Sequence, residues 1–404
     1  MERLISAFGL ICMVAIAFGL STKRKSIKWT PILAGTLLQV LLGVIVLKTT
    51  LGRSFFEGAK NFVNQVTGYT QEGSAFLFGP LAIDTNLGYI FAIQVLPTIV
   101  FVGSVTGILY HLGIMQKIVQ GCAWVMVRLL KTSGAESLSA AANIFVGQTE
   151  APLIVKPYIK KMTDSELTAL MSGGFATIAG GVLIAYAGMG IDAGHLLAAS
   201  VMSAPAALVC AKLMVPETGD PETTGTVKAK FEKTTVNVID AATTGAGDGL
   251  KLALNVGAML LAFVALIAML NGLIGWIGGL FGLQTLSFQQ ILGWLFSPLA
   301  WLLGIPWKDA IPAGTLLGEK TVLNEFVAYA HLHEQLETFS PRTTTILTYA
   351  LCGFANFSSI AIQIGGIGTL APERRHDLAR LGIRALIAGT LACFMTACIA
   401  GMLL

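Results

Sequence analysis

Long apolar runs without Asp, Glu, Lys or Arg alternate with shorter polar segments along the whole chain. These uncharged runs comprise residues 4–20, 29–47, 85–110, 167–191, 252–307, 343–372 and 385–404. A transmembrane helix needs about 20 consecutive apolar residues to cross the hydrocarbon core of a bilayer. A helix also satisfies its backbone hydrogen bonds within one such segment. The pattern therefore predicts an all-α polytopic membrane protein.

The composition agrees with this prediction and excludes a soluble globular protein. Of the 404 residues, 54% are hydrophobic and 12% are charged, and the mean hydropathy is +0.75. Soluble domains carry about 25% charged residues. The six cysteines all lie in apolar segments without CxxC spacing, so we interpret them as small buried side chains.

Clusters of basic residues between the apolar runs predict the topology. The four clusters are Lys23, Arg24, Lys25 and Lys28; Lys156, Lys160 and Lys161; Lys228, Lys230 and Lys233; and Arg374, Arg375, Arg380 and Arg384. Positive residues are enriched in loops that stay in the cytoplasm. Eight transmembrane helices place all four clusters on that side, with both termini outside. Residues 216–244 then form a cytoplasmic connection.

Two segments of the chain resemble each other and predict an internal repeat. Residues 174–181 read GFATIAGG and residues 353–360 read GFANFSSI. Glu150 lies 24 residues before the first segment, and Glu325 lies 28 residues before the second. The predicted topology places the two acidic segments on opposite sides of the membrane. We therefore expect an inverted repeat, with which many secondary transporters build a site near the midplane.

Apolar arms that are too short to span flank both glutamates and favour two re-entrant helical hairpins. In the first hairpin, Gly147 permits a tight tip, and Pro152 suits the first turn of the second arm. Glu150 then lies near the positive end of a half-helix, which favours its ionised form. In the second hairpin, Thr321 and Asn324 are candidate helix caps.

The residues after each GFA sequence predict a break in the helix that follows each hairpin. Gly180 and Gly181 occupy this place in the first copy, and Ser358 and Ser359 follow the isolated amide of Asn356 in the second. Polar groups at membrane depth are costly unless they face a cavity. A single buried glutamate could pair with a lysine or cap a helix, but two in related, inverted contexts favour a binding site.

Three motifs resemble the signatures of the concentrative nucleoside transporter family. They are residues 143–153 (NIFVGQTEAPL), 324–329 (NEFVAY) and 353–359 (GFANFSS), and the similarity extends over the whole chain. The chain is similar to the bacterial form of the family, which has eight transmembrane helices. The resemblance implies a homotrimer with a scaffold domain and a mobile transport domain, the latter built from two hairpins and two broken helices.

The resemblance also implies which residues bind a nucleoside. The nucleobase is expected to face Gln148, Thr149 and Glu150, with Gly147 and Val182 packed against it; the ribose hydroxyls are expected to bind Glu325, Asn356 and Ser359, with Phe354 beside the substrate. A carboxylate accepts hydrogen bonds from two neighbouring hydroxyls, and such charge-assisted bonds are strong. An amide offers the donor and the acceptor that a base edge requires.

Sodium is the coupling ion that the resemblance implies, and no organic cofactor is expected. Its ligands would be the side chain of Asn143, the carbonyls of Val146 and Ile178, and the hydroxyl and carbonyl of Thr177. Unwound backbone near a half-helix end supplies carbonyls for such an ion. In the alternative interpretation Asn143 caps the hairpin and Thr177 bonds back to its own helix. A separate hypothesis keeps the substrate but couples its transport to protons, with one of the glutamates as the carrier.

The predicted organisation has four parts. Residues 1–133 form scaffold spans 1–3, residues 134–213 the first hairpin and transport spans 4–5, residues 214–307 the cytoplasmic connection and scaffold span 6 with an outer segment, and residues 308–404 the second hairpin and transport spans 7–8. The sequence thus predicts a sodium-coupled importer of nucleosides such as uridine in a cell (inner) membrane, in contact with lipid and without a nucleic acid partner. An intramembrane enzyme with Glu150 and Glu325 as an acid–base pair is disfavoured, because no activated nucleophile or metal site accompanies them.

Overall fold

The computed structural model describes residues 1–83, 90–225, 235–280 and 287–404. Within these ranges, seven helices are long and apolar enough to cross a membrane: Glu2–Gly19, Trp29–Lys48, Phe91–His111, Asp164–Gly188, Ala193–Met214, Val238–Leu280 and Pro372–Leu403. The remaining predicted span, residues 343–372, is divided between two shorter helices, Pro341–Leu351 and Phe357–Leu370. The predicted all-α polytopic fold is therefore confirmed.

The helices of the first half are α1 (Glu2–Gly19), α2 (Trp29–Lys48), α3 (Thr50–Phe78), α4 (Pro80–Ile83), α5 (Phe91–Gln94), α6 (Leu96–His111), α7 (Ile114–Leu130), α8 (Gly134–Ala142), α9 (Ala151–Ile154), α10 (Lys156–Ile159), α11 (Asp164–Ala176), α12 (Gly180–Gly188) and α13 (Ala193–Met214). Those of the second half are α14 (Val238–Leu280), α15 (Phe288–Leu302), α16 (Trp307–Val322), α17 (Glu325–Glu334), α18 (Pro341–Leu351), α19 (Phe357–Leu370) and α20 (Arg375–Leu403). The helices α8–α12 and α16–α19 form the hairpins and broken helices of the two repeats.

One end of the molecule gathers the basic segments that the sequence predicts on the cytoplasmic side. Arg384 Nη1 donates to Leu20 O at 3.0 Å, which joins α20 to the end of α1. Arg374 Nη1 donates to Met162 O at 2.6 Å, just after the second basic cluster. Three basic clusters therefore share one end, and the cluster within residues 228–233 lies outside the described residues.

The two termini meet at the opposite end. Arg3 Nη2 donates to the carbonyl of Leu404, and Arg342 Nη2 donates to Gly401 O at 2.7 Å. Arg342 Nε also donates to Gly304 O at 3.0 Å, which brings the turn between α15 and α16 to the same end. An even number of spans places both termini on one side, as the sequence predicts. Which side faces the cytoplasm stays a prediction.

The first hairpin consists of α8, a turn at residues 143–150, and the short helices α9 and α10. A capping box begins α8, since the Ser133 side chain accepts from Glu136 N and the Glu136 side chain accepts from Ser133 N. Lys212 Nζ lies 2.7 Å from Glu136 Oε2, and both side chains are buried. This ion pair fixes the start of α8 to the end of α13. Pro152 lies in the first turn of α9, as predicted.

The second hairpin consists of α16 and α17. Asn324 caps α17 as predicted, because its side chain accepts from Val327 N at 2.9 Å. Thr321 is not a cap, since its hydroxyl donates back to Leu317 O within α16 at 2.8 Å, and that prediction is wrong. The preceding α15 meets α16 at a bend of 117°, and the two are long and apolar enough to cross a membrane only together.

Both repeats contain a broken helix at the position that the GFA sequences predict. Residues 177–179 separate α11 from α12, and residues 352–356 separate α18 from α19. The two breaks contact each other, because Phe354 N donates to Thr177 O at 3.2 Å. A side chain at Gly353 would come within 2.7 Å of a backbone carbonyl of α11, so the crossing requires a glycine there. Since α11 and α18 start at opposite ends of the molecule, the repeat is inverted.

Two other sets of helices pack closely. Gly103 of α6 faces α14, where a Cβ atom would lie 2.5 Å from Gly245 O; small residues let membrane helices approach this closely. The helices α1 and α2 pack on α13 and α20, and Gln39 of α2 donates to Thr396 Oγ1 of α20 at 2.8 Å. The division into scaffold and transport parts stays a prediction, and α1 and α2 lie at its boundary.

Candidate functional site

Four polar side chains from separate parts of the sequence form a hydrogen-bonded row where the broken helices cross. Asn356 Nδ2 donates to Glu325 Oε2 at 3.0 Å, which joins α19 to the second hairpin. Gln148 Nε2 donates to Ser359 Oγ at 3.1 Å, which joins the first hairpin to α19. Asn356 Oδ1 accepts from Ser359 N at 2.9 Å and connects the two pairs. All four residues are buried.

The start of α19 explains how these groups are presented. Asn356 precedes the helix with extended backbone and caps its first turn. Its Oδ1 accepts both from Ser359 N and from Ser358 Oγ, the latter at 2.7 Å. Because the oxygen is held by α19, the NH2 group points away from the helix, towards Glu325. A break that ends in an asparagine cap therefore places a directed donor beside the carboxylate.

Glu325 is 4% exposed and occupies the first turn of α17, where the helix dipole favours negative charge. Its two oxygens have different donors: Tyr186 Oη reaches Oε1 at 3.0 Å, and Asn356 Nδ2 reaches Oε2 at 3.0 Å. An ionised carboxylate has about four lone-pair sites. The carboxylate can therefore accept two further hydrogen bonds, as a pair of neighbouring hydroxyls would donate.

The residues predicted on the base side lie around the tip of the first hairpin. Gln148 belongs to the row, and Gly147 is buried where the exposed Glu150 carboxylate folds back towards it. Thr149 is partly exposed and faces Gly366 of α19. A Cβ atom on Gly366 would lie 3.3 Å from the methyl carbon of Thr149. The structure thus brings Gln148 into the row and leaves Thr149 and Glu150 at its edge.

Val182 and Phe354 supply apolar surface to the predicted set. Val182 is buried in α12, and Phe354 is partly buried in the second break. Both belong to the apolar core that also contains Tyr186 and Phe326, whose rings meet edge to face with centroids 4.9 Å apart. An apolar wall next to a few directed polar groups is typical of sites for small organic molecules.

Two further residues that donate hydrogen bonds to the row were not predicted. Tyr186 donates to the carboxylate of the second hairpin, and Gln363 Nε2 donates to Gln148 Oε1 at 3.0 Å. The sequence contained a signal for each. Tyr186 follows Val182 by four residues and Gln363 follows Ser359 by four, so each lies one helical turn further along the same face.

The side chains predicted to bind sodium converge on one glycine of α11. A Cβ atom on Gly173 would lie 3.2 Å from Asn143 Nδ2, and Thr177 Oγ1 donates to Gly173 O at 2.8 Å. The hairpin turn is held against the first break, because Gly180 N donates to Phe145 O at 3.0 Å. Asn143 and Thr177 are both buried.

A cation fits this place because its oxygens are not fully hydrogen-bonded. Asn143 Oδ1 is buried without a hydrogen-bond partner among the described residues, which costs roughly 1–3 kcal/mol. Asn143 Nδ2 and Thr177 Oγ1 each donate to a carbonyl one turn earlier in their own helix, as the alternative interpretation expects. These bonds engage the donors and leave oxygen lone pairs free. Val146 and Ile178, whose carbonyls complete the predicted ligand set, are buried as well.

Comparison with protein families covers nearly the whole chain. Residues 8–81 match the N-terminus and residues 195–401 the C-terminus of the family described as Na+ dependent nucleoside transporter, and residues 92–193 match the description Nucleoside recognition. The chain is 50% identical over 406 residues to the uncharacterized transporter YutK of Bacillus subtilis (strain 168), with 100% of each protein covered. It is 44% identical over 418 residues to solute carrier family 28 member 3 of Rattus norvegicus, which covers 100% of this chain and 59% of the rat protein.

Solved structures show the same similarity. The inward-facing, substrate-bound structure of CNTnw matches with 48% identity and a TM-score of 0.94, over 100% of this chain and 98% of CNTnw. A CNTnw variant in an outward-facing state matches with 48% identity and a TM-score of 0.96 over the same shares. The enzyme hypothesis is not supported, since these relatives are transporters. The chain therefore belongs to the concentrative nucleoside transporter family.

Proposed function

We propose that this protein imports nucleosides together with sodium by alternating access. The observation that carries the proposal is the row of Gln148, Ser359, Asn356 and Glu325 at the crossing of two inverted broken helices. The Na+ dependence in the family description supports it. So do the inward-facing and outward-facing structures of CNTnw.

In this proposal the row binds the two parts of a nucleoside. Glu325 accepts hydrogen bonds from the ribose hydroxyls while Asn356 holds the carboxylate in place. Ser359 Oγ accepts from Gln148 and can donate its own proton to the sugar. Gln148 lies on the base side, and Phe354 packs beside the substrate. Thr149, Glu150, Gly147 and Val182 complete the base side in this proposal.

Sodium would be held by residues of the first hairpin and of the first break. Asn143 and Val146 belong to the hairpin, and Thr177 and Ile178 to the break. A cation bound to both would supply the positive charge that closes the hairpin against the break. Because Gln148 follows Val146 by two residues, the turn that carries the cation ligands also positions an amide for the substrate. This adjacency couples the two binding equilibria.

Alternating access requires that the site meets each side of the membrane in turn. We propose that residues 134–213 and 308–404 move as a transport domain against a trimeric scaffold formed by the remaining spans. The proposed location is the cell (inner) membrane, with both termini outside. In this division α1 and α2 belong to the scaffold although they pack on α13 and α20.

Uptake by purified protein in liposomes tests the proposal. An inward sodium gradient is expected to concentrate radiolabelled uridine, which is recovered chemically unchanged, and replacement of sodium by choline abolishes the accumulation. Accumulation that follows a pH gradient and ignores choline would establish proton coupling instead. A folded protein that concentrates neither uridine, cytidine nor adenosine under either gradient would contradict nucleoside import.

A further inference from the structure

Gln363 of α19 lies at the base-side end of the row and is 1% exposed. Its Nε2 donates to two acceptors, Met171 O at 3.1 Å and Gln148 Oε1 at 3.0 Å. Gly174 makes room for both glutamines, since a Cβ atom there would lie 2.7 Å from Gln363 Nε2 and 2.8 Å from Gln148 Cβ. The first glycine of the GFA repeat is therefore required by the approach of two side chains.

These contacts determine which way both amides point. Met171 O is a backbone carbonyl, which accepts hydrogen bonds and cannot donate them. Gln363 must therefore turn its NH2 group to Met171, and the second hydrogen of that group reaches Gln148. Since only an oxygen can accept it, Gln148 Oε1 faces Gln363, and Gln148 Nε2 faces Ser359 Oγ at 3.1 Å.

The opposite orientation of Gln363 is unfavourable. Its Oε1 is already buried without a hydrogen-bond partner among the described residues. Turning the amide over would place Oε1 against Met171 O and Gln148 Oε1, so three acceptors would face each other without a donor. A backbone carbonyl of α11 thus fixes Gln363, and Gln363 in turn fixes Gln148.

We propose that Gln363 is a positioning residue for nucleobase selection. It acts through Gln148, which it holds so that an N–H group is presented to the substrate pocket. A base edge with an acceptor, such as the 4-keto oxygen of uracil, complements an N–H group, whereas the 4-amino group of cytosine is a donor and does not. The inference rests on the proposed nucleoside import and adds the kind of base edge that the site selects.

Uridine and cytidine form a matched pair for the experiment, because their bases differ only at this edge. In Gln363→Leu the amide of Gln148 can turn over and present its oxygen. The ratio of the KM for cytidine to the KM for uridine is expected to fall roughly three- to tenfold, the range that one neutral hydrogen bond supports, with a smaller change in kcat. Gln363→Met is a second variant that keeps the length of the side chain.

Gln39→Leu is the control. Gln39 is also a buried amide that donates to one partner, Thr396 Oγ1, and whose Oε1 is unpaired among the described residues. Its loss is expected to change stability but not the ratio of the two KM values. In Gln148→Leu, a further Gln363→Leu is expected to leave the ratio unchanged, because the residue through which Gln363 acts is absent.

The outcomes separate the inference from the proposed function. A parent protein that transports neither uridine, cytidine nor adenosine contradicts the proposed function itself, whereas one that transports adenosine alone overturns only the inferred selection of the base edge. A parent that transports both uridine and cytidine, together with folded Gln363→Leu or Gln363→Met protein whose KM ratio stays within about twofold of the parent, overturns the positioning role alone. An equal shift of the ratio in Gln39→Leu, or a further shift by Gln363→Leu in the Gln148→Leu protein, overturns it as well.

Discussion

Tyr186 Oη donates to Glu325 Oε1 at 3.0 Å and thereby joins the two halves of the inverted repeat. Tyr186 lies in α12, after the break of the first repeat, whereas Glu325 begins the second arm of the second hairpin. Asn356 of the second broken helix holds the other carboxylate oxygen. The position of this carboxylate therefore depends on both repeats, so a change in their relative position would also change the site.

Tyr186→Phe removes one hydrogen bond to the carboxylate. A hydrogen bond to an ionised group contributes about 1.5–3 kcal/mol to the folded protein. Without it the carboxylate is no longer held in place for the ribose hydroxyls, so we expect the Kd for uridine, measured by calorimetry, to rise several-fold. Tyr349→Phe is the control, because Tyr349 is also buried but its hydroxyl contacts His195 Nδ1 at 3.1 Å. An equal loss of affinity in both variants would assign the effect to general destabilisation.

Glu325→Gln is expected to lose most uridine binding. The substitution makes a charged acceptor neutral and turns one of its two acceptor atoms into a donor, where the ribose hydroxyls need acceptors. A 2′,3′-dideoxy nucleoside should bind poorly to the parent protein in a competition assay and respond less to the substitution. Glu319→Gln is a matched control, since Glu319 is buried in α16 and contacts His331, outside the row. Equal binding of ribose and dideoxy nucleosides by the parent would refute the assignment.

The sequence predicted part of the row where polar residues interrupt an apolar run, whereas Gln148 was named only by the family resemblance. Asn356 and Ser359 stand in such places, and a polar side chain at membrane depth is costly unless it faces a cavity. Gln363 meets the same criterion, as an isolated amide in the uncharged run 343–372. The pattern identifies such residues but does not distinguish a side chain that binds the substrate from one that orients a neighbour. That distinction needs the hydrogen-bond partners.

Other features were beyond the sequence because they depend on long-range packing. Tyr186 shares a face of α12 with Val182, but this position alone does not show which group its hydroxyl reaches, because the approach of α12 to α17 supplies the partner. Thr321 shows the converse error, since a threonine hydroxyl satisfies its own helix as easily as it caps the next one. Lys212 likewise carries no local signal for the buried partners it meets across the fold.

Asn143→Ala should lower the apparent affinity for sodium far more than the maximal uptake at saturating sodium. The substitution removes the one side-chain carbonyl of the proposed ligand set, while the substrate row stays intact. Uridine uptake as a function of sodium concentration measures both quantities. Asn271→Ala is the control, because this amide bonds to Gln289 and Phe288 near the end of α14. If Asn143→Ala lowers the maximal uptake but leaves its dependence on sodium concentration unchanged, Asn143 is excluded as a ligand.

Lys212→Met should destabilise the protein, because Lys212 holds the start of α8 against the end of α13. Lys212 Nζ lies 2.7 Å from Glu136 and 3.2 Å from Glu217, and its side chain is 7% exposed. Loss of one partner of a buried ion pair costs about 3–5 kcal/mol, so the thermal midpoint in detergent should fall clearly. Lys161→Met, which removes the exposed pair with Glu222, should leave the midpoint almost unchanged, because water and salt screen such surface pairs. Similar midpoints for the two variants would contradict the structural role of the buried pair.

Crosslinking tests the movement of the proposed transport domain. Gly181 of α12 faces α6, and a Cβ atom there would lie 3.9 Å from Val102 Cβ, within the range of about 3.5–4.5 Å that a disulfide needs. After replacement of the six native cysteines, oxidation of Gly181→Cys with Val102→Cys should stop uptake, leave uridine binding measurable and be reversed by reduction. Gly368→Cys with Arg375→Cys is the control. A Cβ atom on Gly368 would lie 3.9 Å from Arg375 Cβ, and both residues belong to one proposed domain, so oxidation of this pair should leave uptake unchanged.

A third cysteine pair assigns α2, which packs on the proposed transport domain although its sequence position predicts scaffold. A Cβ atom on Gly35 of α2 would lie 2.4 Å from Val209 Cγ2 of α13, so Gly35→Cys and Val209→Cys can form a disulfide. If α2 is scaffold, oxidation should stop uptake as completely as the pair between α6 and α12. Uptake that continues with this pair fully crosslinked would place α2 in the transport domain, because a disulfide between two helices that move together does not hinder their motion. Uptake that also continues with α6 and α12 crosslinked would refute the movement itself.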